Sequence, residues 1–153
     1  MNREFPVITE KDIEDLCTSA SVAGFVVDAA ALTMETWGAG ESHLPRALPP
    51  GKAAVYVFVL NGNCLKVGKA NKRSNARYQS QHYNPKSCRS NLALSLLADA
   101  EFQPIITSGN AGGWIRQNTT RYNILIPEDL GPEFVHFAEA FFILKFRPRF
   151  EGG

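Results

Sequence analysis

The chain has 153 residues, 44% hydrophobic and 20% charged, with a net charge of +1, the length of one domain with its own core and an ordinary composition for a folded chain. No apolar stretch approaches the roughly 20 residues that span a bilayer, and the opening "MNREFPVITEKDIEDL" has no signal-peptide core, so a membrane partner is not expected. Cys17, Cys64 and Cys88 are scattered without CxxC spacing, which argues against a disulfide framework or a zinc knuckle and makes a cytoplasmic protein with reduced thiols the expectation.

Taken in chain order, Thr9 followed by Asp12 is a capping-box signal, and Ile13 and Leu16 share one face of the helix it opens. A second helical segment is expected over "FVVDAAALTMETW", after Gly24 and before Gly38 and Gly40. Residues 1–41 hold eight acids against two bases, Arg3 and Lys11. The Pro-rich "HLPRALPPGK" then reads as a connector, so residues 1–45 form a helical accessory segment and residues 46–153 the main domain.

The run "AAVYVFVL" (53–60) is β-branched and aromatic, "NGN" (61–63) is a tight-turn sequence, and "CLKVGKA" makes the return strand. "NKRSNARYQSQHY" reads as partly helical, "NLALSLLADA" as a helix, "GNAGGWIRQN" as a glycine-rich loop leading into a short helix, and "TRYNILIP" as a third strand. "EFVHFAEAFFILKFRP" closes the chain as a helix that opens at Pro132 and stops before Pro148. It carries Val135, Glu139, Phe142 and Phe146 along one face. The expected fold is α+β: a small antiparallel sheet of about three strands flanked by helices, with an N-terminal helical extension.

Two features point to chemistry. From Ser42 to Ala98 there is no acid, and there are nine bases, Arg46, Lys52, Lys66, Lys69, Lys72, Arg73, Arg77, Lys86 and Arg89. Interleaved with Tyr78, His82 and Tyr83, they suit a surface that meets phosphates, with nucleic acid as the partner. The second feature is Glu139, one acid among large apolar residues. An ionised carboxylate in such surroundings is costly unless it reaches the surface, pairs, or holds a metal.

Tyr56 in "VYV", Lys66 in "KVG", Arg77 and Glu139 follow one another on two strands, a basic segment and a helix. This ordered set resembles the GIY-YIG nuclease superfamily, in which two tyrosine-containing strand motifs, a helical arginine and a metal-binding glutamate form one site. The likeness spans residues 53–151. Four positions depart from the pattern. The first motif lacks its glycine, and Lys66 replaces the second tyrosine, as in a restriction-endonuclease branch. Gln81, with His82 adjacent, stands where the family often has a histidine or tyrosine, and Glu151 where it often has an asparagine. The resemblance implies a metal-dependent endonuclease of restriction or phage-defence type acting on double-stranded DNA. The implied site has Tyr56, Lys66, Arg77, Glu139 and His82 in catalysis, with a single Mg²⁺ (or Mn²⁺) on Glu139. Lys69, Lys72, Arg73, Gln81, Lys86 and Arg89 would contact nucleic acid, and an enzyme that cuts both strands is expected to be a homodimer.

The chemistry agrees with those residue types. Phosphodiester hydrolysis needs an activated water, charge stabilisation at the phosphoryl oxygens and help for the leaving oxygen. One carboxylate suits a Mg²⁺ ion that keeps most of its waters, and an arginine fork suits the phosphate. Tyr56, with an ordinary pKa of about 10, acts as a base at neutral pH only beside cations. Lys66, expected opposite it across the hairpin, either supplies that charge or takes the proton itself. Arg73 is the rival for the role of Arg77. His136 shares a helix face with Glu139 and reads as a packed histidine, and Trp114 as a core anchor rather than a base-stacking residue. The alternative functions are a nucleic-acid-binding module with degraded catalysis and a metal-dependent enzyme acting on another substrate.

Overall fold

A computed structural model describes residues 8–150. Four antiparallel strands, β1 (Thr33–Trp37), β2 (Lys52–Leu60), β3 (Asn63–Ala70) and β4 (Thr120–Pro127), form one sheet in the order β1-β4-β2-β3. Helices α1 (Glu10–Val22) and α5 (Pro132–Phe146) contribute to the core on one face, while α2 (Asn75–Gln79), α3 (Leu92–Ala98) and α4 (Ala111–Asn118) contribute to the core on the other. The fold is α+β with an N-terminal helix, as the sequence implies, and has a fourth strand. Among the described residues no helix is long and apolar enough to cross a membrane, and all three cysteines are free thiols.

Strand β2 is buried on both faces, so its alternation divides two cores rather than core from solvent. Ala53, Val55, Val57 and Val59 join Ile13, Leu16 and Phe142 in one cluster; Ala54, Tyr56 and Phe58 join Tyr78, Leu92 and Leu96 in the other. Asn61 and Gly62 turn the β2–β3 hairpin with φ of 46° and 79°, the positive values that a two-residue loop requires. Helix α1 starts where the capping box predicts, with the Thr9 N–H donating to Asp12 Oδ2 at 2.8 Å.

The second expected N-terminal helix is a correction. Residues 25–37 form a 3-10 turn at Ala29–Ala31, capped by Asp28, and then strand β1. The alanines favour a helix, but Thr33, Thr36 and Trp37 pair along β4, from Thr33 opposite Leu125 to Trp37 opposite Arg121, and tertiary pairing overrides local propensity. The expected boundary at 45/46 therefore falls between two strands of one sheet.

An irregularity in the hairpin sets up the site. Val59 pairs with Cys64 but Phe58 pairs with Lys66, leaving Leu65 as an extra residue. Without that bulge Lys66 would stand opposite Val57 and face the α1–α5 layer, because a one-residue slip reverses every later side chain. The bulge delivers Lys66 to the face that carries Tyr56.

Candidate active site

On that face, cross-strand rows run Lys66–Phe58–Arg121 and Gly68–Tyr56–Asn123. Lys66 is thus diagonal to Tyr56, and the expectation that the two stand directly opposite is corrected: Gly68 is opposite Tyr56. The Tyr56 ring lies across Gly68, where an added Cβ would come within 2.5 Å of the hydroxyl oxygen.

Tyr56 Oη lies 2.5 Å from His82 Nε2. The Leu92 backbone N–H donates to His82 Nδ1 at 3.1 Å, so Nδ1 carries no proton and Nε2 carries it. Burial, followed by the charges of Arg121, Arg77 and Lys66, holds the imidazole well below its ordinary pKa. His82 is therefore neutral and donates to Tyr56. Burial pushes the Tyr56 hydroxyl up to about 12, with Arg77 and Arg121 drawing it back only in part. Tyr56 is a phenol at neutral pH, and its own proton points away from His82.

Lys66 is buried, and its Nζ has no hydrogen-bond partner among the described residues. Burial first, then Arg77, lowers its pKa, against smaller opposing contributions from Cys88 and Glu139. A buried ammonium without a partner gives up its proton readily. Arg77, on α2, donates to the Ser90 carbonyl at 3.0 Å and reaches Cys88 Sγ at 3.9 Å; it is held by the loop of residues 84–91.

Glu139 answers the desolvation problem in a way the sequence does not reveal. Its side chain keeps 19% of its exposure and pairs with Lys69, Nζ to Oε1 at 2.8 Å. Lys69 is assigned by sequence to nucleic acid, yet here it is the partner of the candidate metal ligand. Among the described residues no group of three or more His, Cys, Asp and Glu could cage a metal. The donor set fits only an ion that keeps most of its waters and shares one carboxylate with substrate phosphate, which is the habit of Mg²⁺.

The remaining candidates spread outward. Lys72 and Arg73 are exposed on a 3-10 turn at Lys72–Ser74, Gln81 is half-buried, and Lys86 and Arg89 are exposed in the 84–91 loop. His136 is exposed. Trp114 packs edge-on against Phe102 with ring centroids 5.7 Å apart, consistent with a core anchor. Glu151 lies outside the described residues.

Several residues of this face are not found by sequence reasoning. Arg121 is fully buried, and among the described residues no carboxylate pairs with it. Its guanidinium instead sits over the rings of Trp37, Tyr56, Phe58 and Tyr78 at 4.3 to 5.1 Å, an enclosure that stabilises a desolvated cation. It donates through Nε to Asn123 Oδ1 at 2.7 Å and through Nη1 to Tyr83 Oη at 3.2 Å. Tyr83 in turn donates to His43 Nε2 at 2.7 Å, since His43 Nδ1–H is committed to the Thr119 carbonyl at 2.7 Å. The readable signal is the alternation in "TRYNILIP", which puts Arg121 and Asn123 on one face between apolar neighbours.

No protein-family model matches this chain, and no curated protein or solved structure matches it.

Proposed function

We propose that the protein is a metal-dependent endonuclease of the GIY-YIG type that hydrolyses phosphodiester bonds in DNA. The observation that carries this reading is a juxtaposition at one end of the sheet. The Tyr56–His82 pair, Lys66 and Arg77 share one face, and Glu139, on α5 across the sheet, pairs with Lys69 from the same strand as Lys66. The acid-free basic stretch around them suits a duplex DNA substrate, and the Lys66 variant of the motif suits a restriction or phage-defence enzyme. Its free thiols fit a reducing compartment, the cytoplasm.

In this reading Glu139 holds a single Mg²⁺ or Mn²⁺, which supplies charge stabilisation at the phosphoryl and leaving oxygens when bound. Arg77 exchanges the Ser90 carbonyl for the scissile phosphate and meets its oxygens with paired donors. Lys66, with its lowered pKa, takes the proton of the attacking water. Tyr56, receiving a hydrogen bond from His82, orients that water through its own O–H. The assignment of the base to Lys66 follows from the environments, one group pushed toward its neutral base form and the other held as a phenol. Cleavage of both strands calls for a homodimer.

Tyr56 and Lys66 are closed to solvent, at 0% and 1% exposure, so catalysis requires this face to open. The same closure favours a second reading, a nucleic-acid-binding module on this scaffold without catalysis. Incubating the protein with mixed plasmid and phage DNA separates the two. Discrete fragments with Mg²⁺ and none with a chelator support the restriction reading. A smear keeps the nuclease and discards sequence specificity; retarded but uncut DNA hands the function to the binding module.

A further inference from the structure

Next to the Lys69–Glu139 pair the surface opens into a cleft of about 450 Å³ between the end of β3 and the start of α5. Three cations line it, Lys69, Lys72 and Arg73, against one acid, Glu128. The turn that carries Lys72 and Arg73 is built before any ligand arrives: Asn71 Oδ1 accepts from the Arg73 N–H at 2.9 Å, and the Asn71 N–H donates to Ser74 Oγ at 2.9 Å. Lys72 and Arg73 are exposed and have no ion-pair partner among the described residues. Val135, one turn before Glu139 on α5, forms part of the opposite wall. Lys69 thus belongs to two places at once, with its ammonium on Glu139 and its stem in the cleft wall.

We propose that this cleft is a subsite for backbone phosphates of the DNA strand that runs past Glu139, and that Lys69 serves it by exchanging the Glu139 carboxylate for a phosphate. The proposal rests on the reading of the protein as one that acts on DNA. Lys72 and Arg73 alone carry no sequence information; they fix the register of the strand against the candidate catalytic groups. The exchange has a consequence for the carboxylate. Once Lys69 has moved, Glu139 has lost its cation and attracts a divalent ion more strongly. DNA and ion then favour each other's binding by the same factor, because coupling between two equilibria is reciprocal.

Two measurements test this. The first is fluorescence anisotropy of a labelled duplex with the full-length protein in EDTA, where no cleavage occurs. The Lys72→Ser/Arg73→Ser double variant is expected to bind at least about 10-fold more weakly, with a salt slope shallower by about 2, the signature of two lost phosphate contacts. Unchanged affinity and slope overturn the subsite. Inorganic phosphate is expected to displace the duplex better than chloride at equal ionic strength from the native protein but not from the double variant; the same phosphate effect on both proteins overturns the subsite. The second is Mn²⁺ binding without DNA, read from the free-ion paramagnetic signal. Lys69→Met is expected to bind Mn²⁺ about fivefold or more tightly than the native protein, and Glu139→Gln more weakly. Equal affinity of native and Lys69→Met, with Glu139→Gln still weakened, overturns the exchange while leaving the nuclease reading intact. No weakening in Glu139→Gln removes the metal from the nuclease reading and overturns the exchange; the cleft is then decided by the anisotropy result.

Discussion

At the residue scale, Tyr56 and Gly68 depend on each other. The ring crosses the glycine backbone so closely that a methyl group there would come within 2.5 Å of the hydroxyl oxygen. Gly68→Ala must displace a fully buried ring and break its bond to His82, at a cost of about 1–3 kcal/mol from overpacking. The expected outcome is a lower urea midpoint together with loss of DNA cleavage; native stability and activity would contradict the geometry. Tyr56→Phe keeps the packing but leaves the His82 N–H unsatisfied in the core, about 1–3 kcal/mol. Its cleavage rate should fall by about 100-fold or more if the hydroxyl orients the water, which single-turnover kinetics would measure. Of these residues, Tyr56, Lys66 and Glu139 were legible as motif positions. Arg121, Tyr83 and His43 were not, because their meeting depends on separations of 38 and 40 residues along the chain that no local pattern records.

At the element scale, the hairpin and the N-terminal strand explain most of what the sequence hid. The turn was readable from Asn61-Gly62, since the positive φ it needs is a local property. The bulge at Leu65 was not, and it alone decides that Lys66 faces Tyr56 rather than α5. Strand β1 was misread as helix because its partner, β4, lies more than eighty residues away and alanines dominate its approach. This element carries its own prediction. A fragment of residues 46–153 loses β1, strips Trp37 from over Arg121, and removes Ile13, Leu16 and Ala20 from the core against α5. Each large apolar side chain withdrawn forfeits about 1.5–3 kcal/mol, so the fragment should be insoluble or lack a cooperative thermal transition. A soluble fragment with a sharp transition would restore the accessory-segment view.

At the scale of the whole molecule, two imidazoles are buried in their neutral form. Burial brings His43 down to about 4 and holds His82 well below its ordinary range. The unfolded chain takes up these protons near pH 6.5 and the folded chain does not. Stability is therefore fully present above pH 6.5 and is lost as pH falls toward the folded values, with a slope approaching about 1.4 kcal/mol per pH unit for each imidazole. Urea midpoints measured between pH 7.5 and 4.5, above the usual carboxylate range, should fall steadily below 6.5; a flat profile would contradict the neutral assignment on which the Tyr56–His82 hydrogen bond depends.

The overall segregation of charge, acidic before residue 42 and acid-free to residue 98, was plain in the sequence and survives in part: Lys72, Arg73, Lys86 and Arg89 are exposed, while Lys66 is buried, Lys69 pairs with Glu139 and Arg46 with Glu35. Whether that site cuts DNA is tested most directly by supercoiled plasmid incubated with the native protein and with Glu139→Gln, each with Mg²⁺ and with EDTA, alongside gel retardation of the same DNA. The change keeps side-chain size and removes the charge. The account predicts relaxed and linear plasmid from native protein with Mg²⁺ alone, and none from Glu139→Gln, which should still retard DNA. Cleavage by Glu139→Gln at the native rate, or no cleavage by either protein, would contradict it.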